Sequence, residues 1–326
     1  MLAIGVDIGG TKIAAGVVDT HGTVLARTST STIAHDPPEI EDRVTTLVAQ
    51  LWSELPADTV GVAAGGYVSH DGFSVLFAPN VAWRDHPLRD RLTRTLDLPV
   101  VVENDANAAG WAEFRFGAGR GTSSMVMLTI GTGVGGAVIV DSHLVRGAHG
   151  IAGDVGHMHL VDDGHRCGCG SIGCWEQYAS GSALTRNARL AATSNPNRAA
   201  ALLALAGDAA ARITGAHVTA AAVDHDPLSV DLLTDLGTWI GRGIATLVNV
   251  LDPATIVIGG GVATAGDLLL QPARLTLASA LEPTPRTPPP IVPAQLGADA
   301  GIVGAADLAR ATLAAAAERS PLRPAS

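Results

Sequence analysis

Lysine is almost missing from this chain: Lys12 stands alone against twenty arginines in 326 residues. A bias of that kind follows base composition and carries no message about arginine chemistry. Blocks of like charge are also missing. With 21 Lys+Arg against 31 Asp+Glu the formal net charge is −10, which excludes a sequence-independent grip on nucleic acid or on an anionic membrane surface and favours a small-molecule ligand. The N-terminus has no basic stretch, and its first apolar run reaches Asp7 after six residues, so neither a signal peptide nor a membrane anchor is expected. The uncharged stretch from Ser123 to Val140 matches a bilayer span in length, but Gly131, Gly133, Gly135 and Gly136 interrupt it, and it reads as a buried hairpin. Cysteine is scarce too. Cys167, Cys169 and Cys174 lie close together, an odd number without a secretory signal, which points to the reducing cytoplasm and to metal rather than disulfides.

What is present is 47% hydrophobic residues, 16% charged residues and 38 glycines, the composition of a turn-rich globular protein long enough for two domains. The first thirty residues read as a three-stranded meander: Leu2–Ile8, a turn at Gly9-Gly10-Thr11, Lys12–Asp19, a turn at Thr20-His21-Gly22, and Thr23–Thr28. Shifting the sequence by 122 positions lays Ile130-Gly131-Thr132-Gly133 on Ile8-Gly9-Gly10-Thr11 and Asp141-Ser142-His143 on Asp19-Thr20-His21. Two turns agreeing at one offset imply a duplicated architecture. Between the meanders the apolar spacing of Ile40, Val44, Leu47, Val48, Leu51 and Leu55 predicts a helix, followed by a strand at Thr59–Ala63. A helix through Leu88, Leu92 and Leu96, a strand at Val100–Val102 and a helix over Ala106–Phe116 continue the alternation. The second half is expected to carry a long helix over Val230–Leu251 and a strand at Thr255–Ile258. A proline-rich connection at Pro283–Pro290 and a final helix at Asp299–Glu318 follow.

Chemistry concentrates at three places. The turns Gly9-Gly10-Thr11 and Gly131-Thr132-Gly133 expose backbone N–H groups that suit phosphate, and together they could hold a polyphosphate from two sides, with Asp7 holding Mg²⁺ through water. The order Thr11-Lys12 followed by a strand rules out a P-loop. Asp105, after an apolar strand and before a helix, fits an N-cap and also the carboxylate that phosphoryl transfer needs to take a hydroxyl proton. Cys167, Cys169 and Cys174 form C-x-C-x₄-C with His157 ten residues upstream, a ligand set for tetrahedral structural Zn²⁺, with His149, His159 and His165 as competing histidines.

These residues carry a resemblance. Asp7-Ile8-Gly9-Gly10-Thr11-Lys12, Glu103-Asn104-Asp105-Ala106-Asn107, Gly131-Thr132-Gly133, the histidine and cysteine cluster, Ala78-Pro79-Asn80 with Trp83, Gly259-Gly260-Gly261 and Leu296–Gly301 resemble the ROK family of bacterial sugar kinases, in particular its ATP-dependent glucokinase branch, nearly end to end. The resemblance implies an α/β, actin-like ATPase (ribonuclease H-like) fold with two duplicated domains flanking a cleft. Residues 1–118 would form a small domain completed by the helix 301–318, residues 119–300 a large domain carrying the zinc motif, and 319–326 a disordered tail. It implies that Gly9–Lys12 and Gly131–Gly133 contact ATP phosphates, that Gly259–Gly261 lies near the adenosine, that Asp105 is the base, and that His157 is the zinc ligand whose other ring nitrogen meets the sugar. Asn104, Asp154, His157 and Glu176 would grip the hexose, Asp154 standing where the family pattern has glutamate, one methylene longer. Gly65, Gly66 and Asn80 are further sugar-site candidates that read equally well as ordinary loop. The expected activity is Mg-ATP-dependent phosphorylation of the glucose 6-hydroxyl by a cytoplasmic homodimer or higher homo-oligomer. Phosphorylation of mannose, fructose or an N-acetylhexosamine is the alternative, and a sugar-sensing regulator or a non-catalytic sugar-binding protein belongs to another class. No nucleic acid or membrane partner is expected.

Overall fold

The structure, a computed structural model, describes residues 1–79, 81–282 and 285–319. Asn80 and, beyond Arg319, the expected tail lie outside the described residues, as do Pro283 and Thr284 of the expected connection. The chain opens with β1 (Ala3–Ile8) and β2 (Lys12–Val18), antiparallel from Ala3 opposite Val18 to Ile8 opposite Ile13, and β3 (Val24–Ser31) adds to β2. Burial alternates strictly along β3, as expected of an edge strand with one covered face. Helix α1 (Pro37–Glu54) starts at Asp36, whose carboxylate accepts from the Glu39 N–H, with proline in the first turn. Its stripe Ile40, Val44, Leu47, Val48 and Leu51 packs on the sheet.

β4 (Thr59–Ala64) pairs in parallel with β1. A small antiparallel sheet that the residue pattern did not reveal follows: β5 (Tyr67–Val68), β6 (Val75–Phe77) and β7 (Arg84–His86). After α2 (Leu88–Leu96), β8 (Val100–Asn104) joins β4 in parallel and runs directly into α3 (Asp105–Phe116).

The second half begins with β9 (Met125–Ile130) and β10 (Val134–Val140), the bounds of β1 and β2 each shifted by 122 residues. The repeat fades at the next strand, β11 (His143–Leu144). Asp141 and Ser142 both take left-handed conformations, φ 49° and 63°, in a two-residue hairpin turn. The corresponding turn after β2 is longer, and there Asp19 Oδ1 accepts from the His21 and Thr23 N–H groups. The segment α4 (Glu176–Ala179), α5 (Gly181–Ser194), α6 (Ala200–Leu205), α7 (Gly215–Val223) and α8 (Pro227–Leu251) precedes β12 (Thr255–Gly259). α9 (Asp267–Leu281), β13 (Ile291–Pro293) and α10 (Ala300–Arg319) complete the chain. The two five-stranded sheets have the orders β3-β2-β1-β4-β8 and β11-β10-β9-β12-β13, one connectivity used twice, which is the duplicated α/β order of the actin-like fold.

The chain forms two compact units. One comprises Met1–Gly121, Ala137–Gly153 and the chain from Gln295 onward, and the other comprises Thr122–Gly136 and Asp154–Ala294. In the first unit, α10 packs on β1, β4 and α3. It is long and apolar enough to cross a bilayer, and Ile302, Val303, Ala305 and Ala306 are buried. The fit is close because Gly5 and Gly61 lie opposite each other on β1 and β4. A Cβ on either would sit 1.9 Å from an α10 carbonyl oxygen, that of Ile302 or of Ala305. In the second unit, α8 starts at Asp226, whose carboxylate accepts from the Ser229 N–H, and lies along α9.

Candidate active site and metal centre

Asp105 is the first residue of α3, and Asn104 is the cap, its Oδ1 accepting from the Asn107 N–H at 2.9 Å. Asn104 Nδ2 donates to the Gly66 carbonyl at 2.9 Å and to Asp105 Oδ1 at 3.1 Å, and the Ala106 N–H donates to the same oxygen at 2.9 Å. One oxygen of Asp105 is thereby fixed. The other oxygen, Oδ2, faces Gly65, where a Cβ would lie 3.4 Å away. The carboxylate keeps an exposed edge, yet desolvation by the surrounding protein raises its pKa, outweighing the opposing hydrogen bonds from Ala106 and Asn104. Asp7, at the end of β1, is raised to about 6, first by burial and then by the Asp105 charge, with Lys12 opposing. Two carboxylates that repel in this way suit a divalent cation, which would relieve both.

The turn after β1 projects outward, with Gly10, Thr11 and Lys12 exposed. The Gly9 N–H donates to the Lys12 carbonyl at 2.9 Å, and Thr32 Oγ1 donates to the Gly9 carbonyl at 2.7 Å. Neither Gly9 nor Gly10 has positive φ. At Gly9 the requirement is room rather than a left-handed backbone, since a Cβ there would lie 3.3 Å from the Lys12 carbonyl oxygen.

In the second unit the turn after β9 is closed by the Gly131 N–H donating to the Gly133 carbonyl at 3.0 Å. Its two glycines differ in surroundings. A Cβ on Gly131 meets open space, whereas one on Gly133 would lie 2.1 Å from Glu176 Oε2. Gly131 and Thr132 border a cavity of about 1180 Å³, with Gly181, Ser182, Thr185, Arg186 and Arg189 of α5, Gly215, Ala216 and Thr219 from α7, and Gly261 and Val262. Of the glycine triplet only Gly261 lines it. Gly259 ends β12, and Gly260, at φ 89°, crosses so close to Ile130 that a Cβ would lie 2.4 Å from its carbonyl oxygen. The α5 wall was absent from the sequence reading, although Ser180, which caps α5 by accepting from the Ala183 N–H, was a readable start signal.

His157, Cys167, Cys169 and Cys174 offer ligand atoms all within 4.8 Å of one another. Cys169 Sγ and Cys174 Sγ are 3.6 Å apart, and His157 Nδ1 lies 3.5 Å from Cys167 Sγ. A tetrahedral zinc with bonds of about 2.3 Å to sulfur separates its sulfurs by about 3.8 Å, so the set fits zinc. His149, His159 and His165 are not members of the cluster. Burial pushes the Cys167 thiol up and that of Cys174 up to about 12, while the Ser171 backbone N–H is the first cause holding Cys169 down to about 7. Three crowded thiols resist losing their protons together, and a bound cation reverses that preference.

With Nδ1 turned to the cysteines, His157 Nε2 points the other way, 3.8 Å from Asp154 Oδ2 across one turn of 3₁₀ helix. Glu176 Oε2 accepts from the Val134 N–H at 3.0 Å. Trp175, fully buried between Cys174 and Glu176, anchors both: its Nε1 donates to the Trp239 carbonyl at 2.7 Å, and its ring fills the space a Cβ on Gly243 would need.

A profile of the ROK family matches residues 3–312. The chain is 46% identical over 312 residues to the glucokinase of Streptomyces coelicolor (strain ATCC BAA-471 / A3(2) / M145), covering 95% of this chain and 98% of that one. Among solved structures it resembles a ROK family glucokinase from Streptomyces griseus in complex with glucose and AMPPNP, with a TM-score of 0.87, 46% identity, and 95% and 100% of the two chains covered. It also resembles the ROK hexokinase from Thermus thermophilus, with a TM-score of 0.80, 31% identity, and 97% and 100% covered. A family match over nearly the whole chain, on a fold whose two sheets repeat one connectivity, shows that this protein belongs to the ROK family.

Proposed function

We propose that this protein is an ATP-dependent glucokinase, transferring the γ-phosphoryl group of ATP to the 6-hydroxyl of glucose. The observation that carries the reading is the Asp105 carboxylate: Oδ1 is held by the Ala106 and Asn104 donors, and burial raises its pKa toward the range of an effective base. The sugar oxygen attacks the γ-phosphorus, its proton passes to Asp105, the bond to the ADP oxygen breaks, and ADP leaves. Proton transfer of this kind contributes roughly 10²–10⁴-fold, and most of the remaining rate comes from positioning and charge neutralisation.

In this reading Asn104, Asp154, His157 through Nε2, and Glu176 orient the hexose hydroxyls, with Gly65 bordering them. The backbone of Gly9–Lys12 and of Gly131–Gly133 receives the phosphates. The α5–α7 cavity with Gly261 receives the nucleoside. Asp7 would hold Mg²⁺ through water, and the cation would supply charge neutralisation at the phosphates. His157, Cys167, Cys169 and Cys174 would hold a closed four-ligand zinc, which fixes the loop bearing Asp154 and Glu176 and leaves no position to activate water. Supplying the protein with glucose and Mg-ATP and assaying glucose 6-phosphate with its NADP-dependent dehydrogenase tests the reading. Product formed in proportion to enzyme supports it, and none from folded, zinc-loaded protein removes it.

A further inference from the structure

Glu103 precedes the asparagine and aspartate of the base turn and is 4% exposed. Its carboxylate is engaged at both oxygens. Oε1 accepts from the Asn104 backbone N–H at 2.9 Å and from Asn107 Nδ2 at 3.0 Å, and Oε2 accepts from Arg146 Nε at 2.6 Å. Glu103 therefore holds the cap residue Asn104 by its main chain, while Asn104 holds Asp105 Oδ1 by its side chain.

Arg146 opens the loop that runs on to Asp154. Its carbonyl accepts from the Ala152 N–H at 3.1 Å, and the next residue, Gly147, offers its carbonyl to His70 Nδ1 at 2.6 Å. Gly150 lies so close to β5 that a Cβ would sit 2.0 Å from the Val68 carbonyl oxygen. One buried carboxylate thus links the turn bearing the base to the segment leading into a sugar-site residue. The Glu103 carboxylate is buried and Arg146 is partly exposed, and breaking a pair of this kind leaves a buried charge without its partner.

We propose that Glu103, acting through Arg146 and Asn104, is a positioning residue for phosphoryl transfer, fixing Asp105 and the approach to Asp154 together. The proposal rests on the glucokinase reading. Misplacement of a base by a fraction of an ångström up to 1 Å lowers turnover by as much as about a hundredfold without touching ATP contacts.

The test compares wild type, Glu103→Gln, Arg146→Ala and the double variant, each loaded with zinc. Glu103→Gln keeps an acceptor for the Asn104 N–H and loses the charge. Arg146 is one-third exposed, so its variant keeps the test available if the buried substitution fails to fold. The expected result for each single variant is a ten- to hundredfold fall in kcat/KM for glucose, with KM for ATP within twofold of wild type and melting temperature within a few degrees. The double variant should be no worse than the poorer single one. Folded variants with wild-type kcat and glucose KM overturn the proposal, as do losses that multiply in the double variant. A wild type with no glucose-dependent turnover overturns the glucokinase reading and this proposal with it, whereas an active wild type with indifferent variants overturns the proposal alone.

Discussion

The carboxylate of Glu176 occupies the space that a side chain at position 133 would need: a Cβ on Gly133 would lie 2.1 Å from Glu176 Oε2, and the neighbouring Val134 N–H binds that oxygen at 3.0 Å. The glycine turn and the glutamate two residues after Cys174 are one piece of structure. Gly133→Ala should therefore displace Glu176 and weaken the sugar site. The expected loss is roughly ten- to a hundredfold in kcat/KM for glucose. Steady-state kinetics at saturating ATP check it, and an unchanged glucose KM would show that Glu176 does not contact the sugar.

Burial raises the Asp105 pKa, so the acid limb of activity should lie above the ordinary carboxylate range near 3.8. As the base of the proposed reaction, Asp105 would work only when deprotonated. Below its raised pKa, kcat/KM should fall about tenfold per pH unit, and recover as pH rises through it. A pH profile at constant ionic strength measures the limb. Asp105→Asn should leave a small residual rate without it.

Asp7 is raised from 3.8 to about 6, so the folded state holds this proton more tightly than the unfolded chain. Its contribution to stability is most favourable below about pH 4 and is lost as pH rises through 6. The cost at neutral pH is about 3 kcal/mol at most, less to the extent that its partial exposure screens the charge. Asp7→Asn should therefore raise the melting temperature of nucleotide-free protein at pH 7.5 in chelator, give no gain at pH 4, and lower activity. Equal melting temperatures at pH 7.5 would count against a buried, repelled carboxylate.

Removal of zinc should act on the sugar rather than on the nucleotide. Strong chelation is expected to release one zinc per chain, raise glucose KM, and speed amide exchange around residues 154–176, with ATP binding retained. Cobalt put in its place should show the intense visible bands of a tetrahedral thiolate site. A chain purified with neither metal nor affinity for it would contradict the His157 and three-cysteine assignment.

The parts legible in the sequence were those set by local spacing. The two hairpins and their shift of 122 residues were readable because strand alternation and turn residues lie within a dozen positions of each other. The grouping of His157 with Cys167, Cys169 and Cys174 was readable because metal chemistry restricts both residue type and spacing. Helix α1 extends to Pro37 because Asp36 and the prolines form its first turn, a capping signal upstream of the apolar stripe. The small sheet β5–β7 was invisible, since its strands are only two or three residues long and show no periodicity. The hold of Glu103 on Arg146, and the need of Glu176 for a glycine at 133, join residues more than forty positions apart, and only folding brings them together. Gly9, Gly131 and Gly133 look alike as turn residues, yet in the structure a Cβ on Gly131 meets open space, one on Gly9 would press on the Lys12 carbonyl, and Gly133 makes room for a carboxylate.

The central claim is tested most directly by glucose-dependent ADP release from Mg-ATP, with Asp105→Ala as the blank. The account predicts release by the wild type that depends on glucose and falls by at least a hundredfold in the variant, with the melting temperature preserved. Equal release by the two folded proteins, or no response to glucose by the wild type, would contradict it.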